Sequence, residues 1–172
     1  MNKSTLYIMC GLAFSGKSTL ARKIAEYTGV KIIAFDKLWV EKDKEQPVPK
    51  GAEGWKFIRK IGQVEVAKAL QENIYVVYDD NNVRYEHREE LREVARKVGA
   101  RAVVVYLNTL LKLIRKREAI NKTTGQRHEV ESENFNTVLE QLQIPTTQEG
   151  VMEFKPEMNL DEWVQENFKN ND

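Results

Sequence analysis

The stretch GLAFSGKST, residues 11–19, limits what this chain can become more than any other part of it. Two glycines five apart, Gly11 and Gly16, lead into Lys17 and Ser18. An apolar run, Leu6 to Met9 and Cys10, comes directly before. Directly after, Ser18–Thr28 places Leu20, Ala21, Ile24 and Ala25 on one helical face and stops at Gly29. Glycine, four residues, glycine, lysine, serine between a strand and a helix is the signature of a loop that cradles phosphate. Glycines let the backbone curl so that successive N–H groups point inward, and the helix beginning near Lys17 adds its positive dipole end. Gly11, Leu12, Ala13, Phe14, Ser15, Gly16, Lys17, Ser18 and Thr19 are therefore the expected nucleotide-binding set. Lys17 reaches the β and γ phosphates, and Ser18 can ligate magnesium. The loop is built for a nucleoside triphosphate. There is no guanine-reading motif, so ATP with Mg2+ is the default.

The rest of the chain supplies the sheet such a loop needs. Ile74–Tyr78 and Ala102–Leu107 are apolar throughout, with a weaker run at Lys31–Phe35 and a final strand expected at Val151–Phe154. Runs without polar alternation fit a parallel sheet covered on both faces. Between them, Trp55–Glu72 and Tyr85–Val98 carry apolar residues at helical spacing. Alternating strands and helices predict a doubly wound α/β architecture with a mainly parallel five-stranded sheet. Residues 41–54, EKDKEQPVPKGAEG, read as a loop because they combine charges with two prolines and two glycines. At 172 residues the expectation is one domain, 1–172. The formal charge of +1 gives no overall pull toward nucleic acid or anionic membrane, and any such attraction must be local. One cysteine and no apolar run of signal or membrane-spanning length point to a cytoplasmic setting.

Two carboxylates follow strand ends, which in an open parallel sheet face the ligand crevice. Asp79, after IYVVY, is placed to hold magnesium directly or through water. Asp36, after KIIAF, is placed to accept the proton of an acceptor hydroxyl, although a helix cap would also suit it. Cys10 reads as a small buried filler, and His87 and His128 have no companion at zinc-ligand spacing. Trp39, Trp55, Phe57 and Tyr85 either pack in the core or roof a pocket for a ring-bearing acceptor.

Taken together, GLAFSGKSTLA, AFDKLW, VVYDDNNVRYEHREELREVARKVGARAVVVYL and IPTTQEG resemble the P-loop kinase-like proteins grouped around polynucleotide 5'-hydroxyl kinase and chloramphenicol phosphotransferase, AAA-type ATP-binding proteins. The resemblance runs from about residue 5 to about residue 155. Its most specific portion is Asp79 and Asn82 followed by Arg88, with Pro145 and Glu149 matching a later segment. It implies a nucleoside-kinase-like P-loop fold with a small helical lid, about 109–142, and Asp36 as the acceptor-activating base. Lid arginines would close over the transferred phosphoryl group. Six basic residues against one acidic between Lys112 and His128 supply candidates, Arg117 and Arg115 ahead of Arg127. Arg88 is expected to meet either the aspartate cluster or substrate.

Members that act on nucleic-acid ends carry an arginine shortly after the base aspartate, whereas Lys37, Leu38 and Trp39 follow Asp36. The leading expectation is thus transfer of the γ phosphoryl of ATP to a hydroxyl of a small molecule. A polynucleotide 5'-hydroxyl kinase is the nearer alternative, and an ATP-binding switch that transfers to nothing is the more distant one.

Overall fold

A computed structural model describes residues 4–125 and 132–168. Among these, five strands form one parallel sheet: β1 Thr5–Cys10, β2 Lys31–Ala34, β3 Val76–Asp79, β4 Arg101–Leu107 and β5 Val151–Phe154, ordered β2-β3-β1-β4-β5. Seven α-helices flank it: α1 Lys17–Thr28, α2 Phe35–Glu45, α3 Ala52–Gln71, α4 Tyr85–Lys97, α5 Leu111–Thr124, α6 Ser132–Glu140 and α7 Leu160–Asn167. The doubly wound five-stranded fold expected from the sequence is the fold observed. β1 lies between β3 and β4, with Leu6 in register with Val76 on one side and Ala102 on the other. The chain changes its direction of winding there, and the crevice at the carboxyl ends of the strands opens beside the phosphate loop.

The two-residue period of β1 divides the core. Tyr7 and Met9 face Leu20, Ile24, Trp163 and Val164 of α1 and α7. Leu6, Ile8 and Cys10 face Val66, Leu70, Leu91 and Ala95 of α3 and α4. Each such aliphatic side chain removed from water contributes about 1.5–3 kcal/mol. A third cluster, Leu12, Phe14, Val83, Ile114 and Phe135, joins the phosphate loop to α5 and α6. Close approach of α3 to the sheet depends on Gly62, where a Cβ would come 2.7 Å from the Tyr78 hydroxyl.

Residues 41–54 are not the loop that their composition predicts. β2 ends at Ala34, α2 runs on to Glu45, and α3 begins at Ala52. Lys42 pairs with Glu45 at 2.8 Å along the helix, a spacing that supports α-structure. No residue of α2 is fully buried, so the helix carries little of the apolar periodicity that would reveal it. The Asp43 carboxylate then accepts the Val48 N–H at 2.8 Å and closes the turn.

Arg88 meets neither the aspartates nor an open substrate cavity. Its guanidinium donates to Glu149 at 2.7 and 3.1 Å and to the carbonyls of Asn82 and Val83 at 3.0 Å each. The two side chains are 1% and 2% exposed. Burial alone would raise the Glu149 carboxyl, but the hydrogen bonds from Arg88 and from the Thr146 N–H outweigh it and hold it below its ordinary 4.5. Removing one partner of such a pair leaves a buried uncompensated charge. Glu149→Gln is expected to lose roughly 3 kcal/mol at pH 7 in urea unfolding. Because the folded-state value is depressed, the parent's advantage is present above pH 4.5 and shrinks as pH falls through the folded value.

Candidate functional site

The phosphate loop is a left-handed curl fixed at both ends. The Gly11 N–H bonds the Asn81 carbonyl at 2.9 Å, and Gly16, at φ 109°, turns the chain into α1. α1 starts with no side-chain cap and no acidic residue in its first turn, which leaves a positive helix end for an anion. Phe14 also has a positive φ, 61°, and its ring is seated in the third cluster. Ser15 Oγ is buried without a hydrogen-bond partner among the described residues. A loop with an uncapped helix end, a lysine and an unanswered buried hydroxyl fits the phosphates of a nucleotide.

Lys17 is 8% exposed, and its ammonium donates to the Leu12 carbonyl at 2.8 Å. Burial pulls its pKa below the ordinary value, and the charges of Asp79, Asp80 and Asp36 pull the other way. These electrostatic couplings group Asp36, Asp79 and Asp80 around the lysine. Ser18 and Thr19 are exposed on the first turn, and Asp79 ends β3, so hydroxyl and carboxylate oxygens of the kind magnesium takes are present. Cys10 sits behind them, and burial pushes its thiol up to about 11, which makes it inert as a nucleophile.

Two cavities lie on either side of the loop. The first, about 440 Å³, is bounded by Phe14–Gly16 and Thr19, by Arg117 and Asn121 of α5, and by Pro156 and Met158 after β5. Arg117 donates to the Phe14 and Ser15 carbonyls at 3.0 and 2.9 Å, so it lies directly on the loop. Sequence reasoning missed this wall apart from Arg117. Its members come from α5 and from the segment between β5 and α7, and no local spacing links them.

The second cavity, about 350 Å³, is lined by Ala13, Asp36, Trp55, Arg59, Asn82 and Phe135, together with Phe35, Asp80 and His87 among others. Of the aromatic candidates only Trp55 lines it. Trp39 packs on Phe35 with ring centroids 6.0 Å apart, while Phe57 and Tyr85 are exposed outside it. Arg115 is turned to other partners: it donates to Glu118 at 2.9 Å and Asn136 at 2.8 Å and lies 4.2 Å from the Phe135 ring centre. It ties α5 to α6 and lines neither cavity. Arg127 lies outside the described residues. No helix among the described residues is long and apolar enough to cross a membrane.

Residues 6–145 match the AAA domain family, and the chain belongs to it. It is 28% identical over 143 residues to L-seryl-tRNA(Sec) kinase of Methanococcus maripaludis, an alignment covering 83% of this chain and 54% of that relative. The chain thus spans about half of the relative's length. The APS kinase of Mycobacterium tuberculosis, solved in complex with AMPPNP and APS, superposes with a TM-score of 0.72 at 18% identity over 98% of both chains. A gluconokinase from Sinorhizobium meliloti gives 0.67 at 22% identity, covering 96% of this chain and 90% of that one. The fold is that of the P-loop kinases.

The loop geometry generates a binding prediction. Lys17→Ala is expected to weaken triphosphate binding roughly 10- to 100-fold, as loss of a charge-assisted hydrogen bond does, while adenosine binding is little changed. Calorimetric titration with both ligands checks it, and an unaltered triphosphate affinity would remove the loop's assigned role.

Proposed function

We propose that this protein is an ATP-dependent phosphotransferase that moves the γ phosphoryl of ATP to a hydroxyl of a small-molecule acceptor. The observation that carries the reading is the position of the phosphate loop between two cavities, with Asp36 in the wall of the second. The first cavity takes the nucleoside, the Gly11–Thr19 backbone and Lys17 take the phosphates, and the second takes the acceptor. Magnesium, when bound, screens phosphate charge, and the Ser18 hydroxyl and Asp79 carboxylate are the groups that would hold it. The seryl-tRNA kinase relative and the APS kinase neighbour with its bound AMPPNP support a kinase of this kind.

In this reading Asp36 accepts the hydroxyl proton as the acceptor oxygen bonds to the γ phosphorus, and the bond to the β–γ bridging oxygen breaks to release ADP. Lys17 and Arg117 supply fixed positive charge where negative charge accumulates. To do so Arg117 exchanges the loop carbonyls for phosphate oxygens, and α5 with α6 serves as the lid that carries it. Arg115 acts at one remove, by holding the two lid helices together, and the whole chain works as one kinase-like unit.

A nucleic-acid-borne hydroxyl is the second reading, favoured by the name of the seryl-tRNA kinase relative. Label from γ-labelled ATP, offered pools of small alcohols and of 5'-hydroxyl oligonucleotides, separates the two. Label on a small molecule supports the leading reading, whereas label on oligonucleotide ends that falls steeply with salt supports the second. Asp36→Asn is expected to lower transfer by about 10² to 10⁴-fold while nucleotide affinity is retained. Equal loss of both would assign Asp36 another task.

A further inference from the structure

The second cavity contains a cation that no carboxylate of the described residues pairs with directly. Arg59, half-buried on α3, lines it and makes no hydrogen bond or ion pair with any described residue. Arg117 and Arg115, by contrast, donate to loop carbonyls and to Glu118 and Asn136. A guanidinium in a partly desolvated wall gains most from an oxyanion, whose two oxygens match its fork. The other titratable groups lining the cavity are Asp36, Asp80 and His87. Asp80 acts on Arg59 electrostatically without a direct ion pair, and its Oδ1 accepts the Asn81 N–H at 2.7 Å. Burial, with Arg59 and Arg84 nearby, holds His87 down at about 4, so at neutral pH it is uncharged. Arg59 is thus the one permanent cation among the described lining residues.

A second group points the same way. Asn82 is 2% exposed, and its side-chain N–H donates to the Met9 carbonyl at 2.8 Å, which fixes the amide's orientation. Its Oδ1 is buried with no hydrogen-bond partner among the described residues, at the edge of the cavity that Asn82 helps to line. Trp55, one helical turn before Arg59 and on the same helical face, supplies a flat apolar wall, and Phe135 is among the other lining residues.

We infer that the acceptor is itself an anion: a small hydroxyl compound bearing a carboxylate or a phosphate monoester, gripped by Arg59 beside Trp55, with its hydroxyl at Asp36. The inference rests on the phosphotransfer reading and adds the acceptor's charge to it. A cavity of about 350 Å³ holds one such molecule.

The test offers γ-labelled ATP and magnesium with alcohol scaffolds, a polyol, a hydroxymethylarene and a nucleoside, each in neutral, carboxylated and phosphorylated form. A 5'-hydroxyl oligonucleotide is run alongside. Label is expected on charged members only, and the carboxylate and phosphate arms separate the two sources of the oxyanion. Arg59→Gln is expected to raise the acceptor KM roughly 10- to 100-fold with little effect on the KM for ATP, and Arg59→Lys to recover part of the loss. Equal labelling of a neutral member and its charged counterpart, label on the oligonucleotide, or indifference to Arg59→Gln would overturn the inference.

Label on nothing would instead count against phosphotransfer, and binding then decides the role of Arg59. In saturating magnesium and a non-hydrolysable ATP analogue, charged probes are expected to raise the melting temperature of the parent and not of Arg59→Gln. An equal shift in both proteins, or none in either, overturns the assignment.

Discussion

The buried pair between Arg88 and Glu149 is the contact on which the arrangement of this crevice depends. The two residues lie 61 positions apart in sequence, and both are almost inaccessible to water. Arg88 uses its remaining donors on the carbonyls of Asn82 and Val83, so one guanidinium joins α4, the strand-to-helix segment after β3 and the turn that leads into β5. Glu149 completes a reciprocal cap with Thr146, which fixes that turn in the same network. Buried ion pairs are weak evidence for net stability, because desolvation offsets much of their attraction. Here the pair matters for position. It holds the backbone at Asn82 and Val83, and through Asn82 and Asn81 that segment reaches β1 and the phosphate loop.

The two cavities follow from this frame and from the side of the sheet that each helix covers. α3 can lie close to β3 because Gly62 has no side chain to strike Tyr78, and this brings Trp55 and Arg59 over the strand end. On the other side Arg117 and Thr109 both donate to the Ser15 carbonyl, the second at 2.9 Å, so α5 and the chain before it meet the loop directly. Charge is distributed unevenly between the two sides. The cationic helix α5 borders the first cavity, while Asp36 and Asp80 line the second with Arg59 among them.

How much of this was legible in the sequence depended on how local each signal was. The phosphate loop, its strand and its helix are contiguous, and β1, β3 and β4 are apolar runs whose meaning does not depend on neighbours, whereas β2 and β5 are short and each carries a charged residue. Asp36 and Asp79 were found because they follow such runs. α2 was lost because a solvent-facing helix of lysines and glutamates has the composition of a loop. Arg88 and Glu149 were both noticed, but their partnership was not, since nothing within a window of residues joins positions 61 apart. Arg59 was invisible for a related reason: one arginine in an amphipathic helix carries no mark until the fold shows which face it is on. The wall of the first cavity, assembled from α5 and the segment after β5, was illegible on the same grounds.

Phe14 gives the loop a mechanical property that its phosphate chemistry does not require. Its backbone is held in the left-handed region while its ring is locked among Leu12, Val83, Ile114 and Phe135, and its carbonyl receives Arg117. Side chain and main chain of one residue are therefore both fastened to the helices that border the crevice. Any tilt of α5 or α6 pulls on the tip of the loop, and any change in the loop's curl pushes back on those helices. The curl of the loop and the position of the helices are thus two ends of one lever whose fulcrum is a phenylalanine.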